Sequence, residues 1–393
     1  MRSKIKDIVD ASMEKMLSWR EHLHAHPELS FQEVNTSAFV ASNLKELDIP
    51  FQHGIAGTGL VALIKGKNPE KRCIALRADL DALPIHEENN VPYKSKNEGV
   101  MHACGHDVHT TCLLGAALIL NQFKNEFEGT IKLIFQPGEE RLPGGASMMI
   151  NEGVLENPKV DKILALHVYP CMDVGKVGFK PGLYMAACDE IYLTIKGKGG
   201  HAALPNTYNN PVMLISKLLP KLESYLESLS DLTSPFVFTF GKLEAKGATN
   251  IVPELATAAG TLRTMNEQWR STIHKKLKVF VAEFLTFNNA EGQLEISKGY
   301  PCLNNDEILT ENCIQSAKEY LGSENVELLD VRMTAEDFSF FSQKIPACFF
   351  RLGVRNEDLG IIYGVHHPKF DIDKNALKYG AGLMAYIAMN ALD

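Results

Sequence analysis

The sequence predicts an α/β fold: one domain with a mostly parallel sheet flanked by helices, interrupted by an inserted α+β domain with a four-stranded sheet and two helices. Three observations carry this. Up to about residue 181, short apolar runs ended by Gly, Pro or Asp alternate with segments of helical length, the pattern of βαβ units. Around residues 174–182 the texture changes to punctuated strands and two long amphipathic helices, and from about Tyr300 the first texture returns. The expected boundaries are 1–181 with 290–393 for the discontinuous domain and 182–289 for the insert.

The chain opens with apolar residues at Ile5, Ile8, Val9, Met13, Met16 and Leu17, a helical stripe rather than a signal-peptide core. "GLVALIKG" (59–66) and "RCIALRAD" (72–79) read as buried strands. A helix is expected from His106 to Phe127, then a strand "TIKLIFQ" stopped by Pro137 and Gly138, then a strand "DKILALHV". In the insert, strands in the stretch from Val174 are followed by a helix from about Pro211 to Glu227. The strands "FVFTFGKLEAKG" and "ELATAAGTLRTM" come next, then a helix from Glu267 to about Phe287 and the strand "QLEISKG". A helix near Asp306–Tyr320, the strand "PACFFRLG" and a helix from Lys374 complete the reading.

At 393 residues the chain can hold two or three domains with proper cores. Its 45% hydrophobic and 22% charged residues are ordinary for a globular protein, and no apolar run approaches the roughly 18 residues of a membrane span. A net charge of -8 with no Lys/Arg block excludes nucleic acid and anionic membrane as main partners, leaving a small molecule as the expected one. The eight cysteines lack any CxxC pair or regular framework, which suits a reducing compartment and predicts a cytoplasmic protein.

"GVMHACGHDVHTT" (99–111) packs His102, Cys104, His106, Asp107 and His109 into eight positions. Spacings of four and three would put the histidines on one helix face. Gly105 weakens a helix interior, however, so Cys104 is expected in the turn before the helix, where free N–H groups and the macrodipole favour a thiolate. Thiolate and imidazole two positions apart make half of a divalent-metal site. The plainer alternative is a buried thiol with surface histidines capping a helix. Other strand ends, where α/β sheets bind ligands, offer Asp79 and Asp81, Glu139 and Glu140, His167, and His366 with His367. In "PGEE" the Pro-Gly break lets both carboxylates face one centre, one for a metal and one as a base.

With these residues the chain resembles the metal-dependent amidohydrolases that include aminoacylases, hippurate hydrolases, N-acetyldiaminopimelate deacetylases and plant auxin-conjugate hydrolases. The likeness runs in order through "REHLHAHPELSFQE", "LRADLDALPI", "MHACGHDVHTT", "FQPGEE", "GKGGHAALP", "TNIVPE", "GTLRT", "AEDFS" and "VHHPKFD". It implies two divalent ions (Zn, Mn, Co or Ni), with Cys104 bridging, His106 and His167 completing one site, and Glu140 and His366 the other. Glu139 is implied as catalytic base, with Asp81 and Asp107 as supporting carboxylates that fix imidazole tautomers or backbone. The choice of His366 over His367 rests on alignment to the Pro of a family loop that usually reads His-Ser-Pro. The histidines of "HLHAHP" match a segment that carries no metal.

The resemblance further implies an inserted lid domain through which the chain forms a homodimer, and in it His201, Asn250 and Arg263 as substrate contacts, Arg263 holding a carboxylate. Without the resemblance, "GKGGHA" would read as a tight turn and Arg263 as an exposed strand residue. Asn206 and Asn210 stand where the family commonly has His and Asp, which bears on substrate preference. The expected reaction is hydrolysis of N-acyl amino acids to a carboxylate and a free amino acid. The rivals are a metallo-dipeptidase or carboxypeptidase of the same superfamily, a hydrolase with Cys104 as nucleophile, and a binding protein on an enzyme-like scaffold.

Overall fold

The computed structural model describes residues 1–229 and 235–392. The chain divides into two compact units. The first comprises Met1–Tyr184, Asn304–Val331 and the residues from Asp337 onward. Its eight-stranded sheet has the order Phe51–Ile55, Gly59–Lys65, Thr130–Gln136, Cys73–Asp79, Lys162–Asp173, Ala347–Arg355, Val177–Phe179 and Val326–Leu328. The strands that matter for the site are parallel neighbours: Thr130–Gln136 with Cys73–Asp79, that strand with Lys162–Asp173, and Lys162–Asp173 with Ala347–Arg355. Strands buried on both faces read as continuous apolar runs, which is why Cys73–Asp79 and Thr130–Gln136 are buried at every position.

Register then aligns positions along these strands. Asp79 lies opposite Gln136, Arg351 opposite His167, and Arg77 opposite Ala165, two residues short of Asp79 and His167 respectively. The helix His106–Gln122 is buried at every residue from His106 to Leu120, so it is covered on all sides, with its buried polar residues confined to the first turns that face the cluster and its neighbours. It packs against the helices Met13–Ala25 and Ala376–Ala391 in the main core. The short helices Gly145–Asn151 and Ser339–Ser342 pack together against Thr130–Gln136 and Ala347–Arg355.

Some elements differ from expectation. The amino-terminal stripe forms two helices, Arg2–Ala11 and Met13–Ala25, parted at Ser12. The helix after the cluster ends at Gln122, short of Phe127, as the chain turns with Glu126 N–H donating to the Phe123 carbonyl. The helix Val34–Glu46 and the strand Phe51–Ile55 were not anticipated.

The second unit, Met185–Leu303 with Arg332–Glu336, is an α+β structure. Its sheet runs Phe236–Glu244, Leu255–Thr264, Ala187–Lys196, Glu291–Lys298, antiparallel throughout. Ala187–Lys196 alternates buried and more exposed residues, as a sheet covered on one face requires. Pro211–Leu229 and Glu267–Phe287 bury Leu214, Leu218, Leu222, Ile273, Leu277 and Val281 in this unit's own core. The unit runs past the expected end at residue 289 because Glu291–Lys298 pairs with Ala187–Lys196 along its full length. Among the described residues, no helix is long and apolar enough to cross a membrane.

Candidate metal centre

Three loops of the first unit, carrying Cys104, Glu139 with Glu140, and His366, converge on His167 within the strand Lys162–Asp173. Gly105 takes a left-handed conformation (φ +81) and starts the helix, with Val108 and His109 N–H groups donating to its carbonyl at 2.9 and 3.1 Å. A Cβ there would lie 2.6 Å from a Val168 methyl, so only glycine lets Cys104 approach the strand carrying His167. Gly138 (φ +58) plays the matching part in "PGEE", where a Cβ would collide with the Phe31 ring. The turn brings Glu139 and Glu140 to one centre: their carboxylates and a His106 nitrogen lie within 4.8 Å of one another. His366 also adopts a positive φ of 64°, a conformation uncommon outside glycine, and its N–H donates to the Ala103 carbonyl at 2.7 Å, fastening this loop beside Cys104.

The predicted ligands fall into two trios that share Cys104. Donor atoms of Cys104, His106 and His167 lie within 4.8 Å of one another, as do those of Cys104, Glu140 and His366. Cys104 Sγ is 3.5 Å from His167 Nε2, and His366 Nε2 is 3.2 Å from Glu140 Oε1. The imidazoles are oriented for coordination. His167 Nδ1 donates to the Val168 carbonyl (2.8 Å), which turns the Nε2 lone pair toward the thiol. His106 Nδ1 donates to Asp81 Oδ1 (3.1 Å), while its buried Nε2 has no hydrogen-bond partner. A carboxylate behind one nitrogen and an orphaned second nitrogen facing thiol and carboxylates is the arrangement a metal-binding histidine takes. Thiol, imidazole and carboxylate donors at these spacings fit a pair of divalent ions.

The electrostatics point the same way. Burial pushes the Cys104 thiol well up, and the carboxylates of Glu140 and Glu139 push it further. Burial lowers His106, but Asp79, Asp81 and Glu140 outweigh it and raise the imidazole to about 10. Both shifts express one negative potential that favours a bound positive charge, which divalent ions supply in place of protons. His167, by contrast, is held well below its usual value by burial and by Arg351, so it stays neutral with its lone pair available. The thiolate expected from the helix dipole therefore does not arise from the protein alone; desolvation and neighbouring carboxylates are stronger.

Other predicted residues take different places. Asp81 Oδ2 accepts from Ser30 Oγ (2.7 Å) and from Glu140 N–H (2.9 Å), so one carboxylate braces His106 and the backbone of Glu140 together. Asp107 corrects an expectation: it braces no ligand imidazole. Its Oδ2 accepts from Arg20 Nε (3.0 Å) and His24 Nδ1 (2.7 Å), because the residue after His106 points about a quarter-turn away, toward Met13–Ala25. His24 also reaches Glu87 at 3.2 Å, which gives "HLHAHP" its structural task. His367 stacks on Tyr363 with ring centroids 4.4 Å apart, and Nδ1 accepts from Lys369 N–H, so His366 alone of the pair lies in the cluster.

Asp79 and His109 are the residues whose part was missed. His109 Nδ1 donates to Asp79 Oδ1 (2.6 Å) and Nε2 accepts the Val168 N–H (2.9 Å). Both nitrogens are occupied, so the trio Asp79, His106 and His109 is bracing and not a third metal site. The steps of four and three had signalled only that His109 follows His106 on one face.

In the second unit, described by itself, exposed His201 forms a two-residue strand with Gly200 that pairs with Ile251–Val252. Ala202 N–H donates to the Asn250 carbonyl at 3.0 Å, which sets His201 and Asn250 side by side. Arg263 is half-buried in Leu255–Thr264, opposite Cys188 and Val237 on the flanking strands.

A mixed sheet with thiol, imidazole and paired carboxylate groups gathered beside its central strands defines a hydrolase of the metallopeptidase class. Residues 75–390 match the family described as Peptidase family M20/M25/M40, and the chain belongs to that family, whose hydrolases act on amide bonds. The chain is 34% identical over 386 residues to a Bacillus subtilis (strain 168) protein named N-acetyl-L-cysteine deacetylase, covering 98% of this chain and 90% of the relative. It is 35% identical over 392 residues to "Thermostable carboxypeptidase 2" of Saccharolobus solfataricus, covering 98% of each. The crystal structure of the Bacillus subtilis YXEP protein, described as a dinuclear metal binding peptidase from the M20 family, superposes with a TM-score of 0.83 at 30% identity, over 98% of this chain and 99% of that one.

Proposed function

We propose that the chain is a di-metal amidohydrolase that cleaves the amide bond of N-acyl amino acids, releasing a carboxylate and a free amino acid. The observation that carries this is the pair of donor trios sharing Cys104, with Glu139 beside them but outside both. Cys104, His106 and His167 would hold one ion and Cys104, Glu140 and His366 the other, as Zn, Mn, Co or Ni. Bound there, the ions would polarise the amide carbonyl and lower the pKa of an attacking water from about 15.7 toward roughly 7. Glu139, 6% exposed and held through the Asp337 N–H at 3.3 Å, would take the proton from that water and pass it to the leaving amine.

His201, Asn250 and Arg263 belong to the proposal as substrate contacts, Arg263 gripping the amino acid's carboxylate through its planar fork. Homodimerisation through the second unit and a cytoplasmic setting belong to it as well. The likeness to a deacetylase of an N-acetyl amino acid supports an N-acyl substrate, and the equal likeness to a carboxypeptidase supports peptides as the second reading. A Cys104 nucleophile is disfavoured, since the same burial and carboxylates that raise the thiol would oppose its ionisation.

Turnover of N-acetyl and N-benzoyl amino acids measured beside dipeptides tests the substrate class; faster cleavage of dipeptides would favour the second reading. Glu139→Gln should keep its metal and lose about 10²- to 10⁴-fold in kcat. A loss under tenfold would reject Glu139 as the base.

A further inference from the structure

Behind Glu139 lies a buried chain of ion pairs that the proposed reaction leaves without a task. Asp337, in "AEDFS", is fully buried. Its carboxylate accepts from Arg77 Nη2 (2.7 Å), Gln136 Nε2 (2.8 and 2.7 Å) and Ala146 N–H (3.0 Å), while its own N–H donates to Glu139 Oε1 at 3.3 Å. Arg77 spreads its fork further, from Nε to Gln136 Oε1 (2.8 Å) and from Nη1 to Asp79 Oδ2 (2.7 Å). Asp79 continues to His109, and His109 to the N–H of Val168, the residue after His167. One unbroken path thus joins Glu139 to the strand that carries His167.

The chemistry of the path suits holding a geometry. A buried ionic network is weak as a source of stability, since well-packed apolar residues of the same volume often do as well. A guanidinium, however, fixes its partners in a plane and at set angles, which a lysine's point charge does not. Arg77 bonds Asp79 on its own strand, Gln136 on the neighbouring strand and Asp337 on a later segment, so it ties the height of Asp337 to the sheet. That height fixes the N–H on Glu139. Carboxylate oxygens of Asp337 and Glu139 also lie within 4.8 Å of each other, and the Arg77 charge offsets their repulsion.

We infer that Arg77, acting through Asp337, is a positioning residue for Glu139: it holds the general base in register with the centre it shares with His106 and Glu140. This rests on Glu139 being the base, as proposed above. Displacement of a reacting group by about 1 Å can cost on the order of 10²-fold in rate, so the effect belongs in kcat.

The experiment compares Asp337→Asn, Arg77→Lys, Arg77→Met and Glu139→Gln, each assayed for folding by thermal melting, bound metal, kcat and KM on an N-acetyl amino acid. Asp337→Asn keeps the backbone N–H and the side-chain shape but removes the charge that Arg77 holds. Folded, fully metal-loaded Asp337→Asn is expected to lose about 10- to 100-fold in kcat with KM changed less than about threefold, and Arg77→Lys should be faster than Arg77→Met. A folded, metal-loaded Asp337→Asn within twofold of the parent in kcat overturns the inference. So does loss of activity in step with loss of metal, or failure of both Asp337→Asn and Arg77→Lys to fold, which would assign the chain to stability. Survival of Glu139→Gln would reject the base itself, a separate failure read in its own variant.

Discussion

A thiol in the turn before a helix ordinarily shifts toward thiolate, because free N–H groups and the helix dipole stabilise the anion. Cys104 sits in such a turn and is pushed the other way by burial and by Glu140 and Glu139. Asp107, three residues on, has the opposite balance: burial raises it, but Arg20 and His24 outweigh burial and hold it far below the usual carboxylate range. Neither side chain's chemistry follows from its position in the helix alone. Arg20 also donates from Nη2 to Asp371 Oδ1 at 2.8 Å, so Asp107→Asn removes one of its two carboxylate charges. The variant should lower stability by about 2 kcal/mol, the range for one hydrogen bond to a charged group, with bound metal unchanged; urea unfolding and metal content read the two effects separately. Loss of metal without loss of stability would return Asp107 to the task first expected of it. The groups of the cluster were legible as residue types, read as lying at strand ends, although His167 stands inside Lys162–Asp173. The braces behind them, Asp79 on His109 and Asp107 on Arg20, were not, because they depend on which way each side chain leaves its backbone.

Elements were legible where burial is uniform or strictly periodic. His106–Gln122 and the sheet strands follow apolar runs, whereas Val34–Glu46 was hidden because Thr36, Ser37 and Asn43 occupy buried positions. Their side chains are satisfied locally, Thr36 on Glu28, Ser37 on the Thr58 carbonyl and Asn43 on the Phe39 carbonyl, and such pairing leaves no hydrophobic pattern to read. In the second unit, Glu267–Phe287 is tied to Ala187–Lys196 by Arg270 and His274, which bond the Asp189 carboxylate at 2.5 and 2.6 Å. Burial raises Asp189, but these partners win and hold it down to about 2. A carboxyl depressed in the folded state contributes stability that is complete above its unfolded value near 4 and is lost as pH falls through about 2. Asp189→Asn should thus destabilise by about 3 kcal/mol at pH 7, and the gap from the parent should narrow as pH drops below 4. An undiminished gap at pH 2 in acid-titrated unfolding would contradict the pairing.

At the scale of the whole molecule, two units with separate cores were legible from the change in sequence texture and its return. The strand "QLEISKG" was legible as part of the insert, but the end expected at residue 289 cut it off, because the partner that holds it in the second unit lies about a hundred residues earlier in the chain. The same long-range pairing builds the site: strand order sets Cys73–Asp79, Thr130–Gln136 and Lys162–Asp173 side by side in the middle of the sheet, although 50 residues lie between the first two in the chain and 25 between the second and third. The central claim is that Cys104 belongs to two metal sites at once. Elemental analysis of the purified protein beside Cys104→Ala tests it most directly. The parent should carry two divalent ions per chain, while the variant should hold fewer than one and hydrolyse no N-acetyl amino acid; a Cys104→Ala protein that keeps two ions and turns over normally would contradict it.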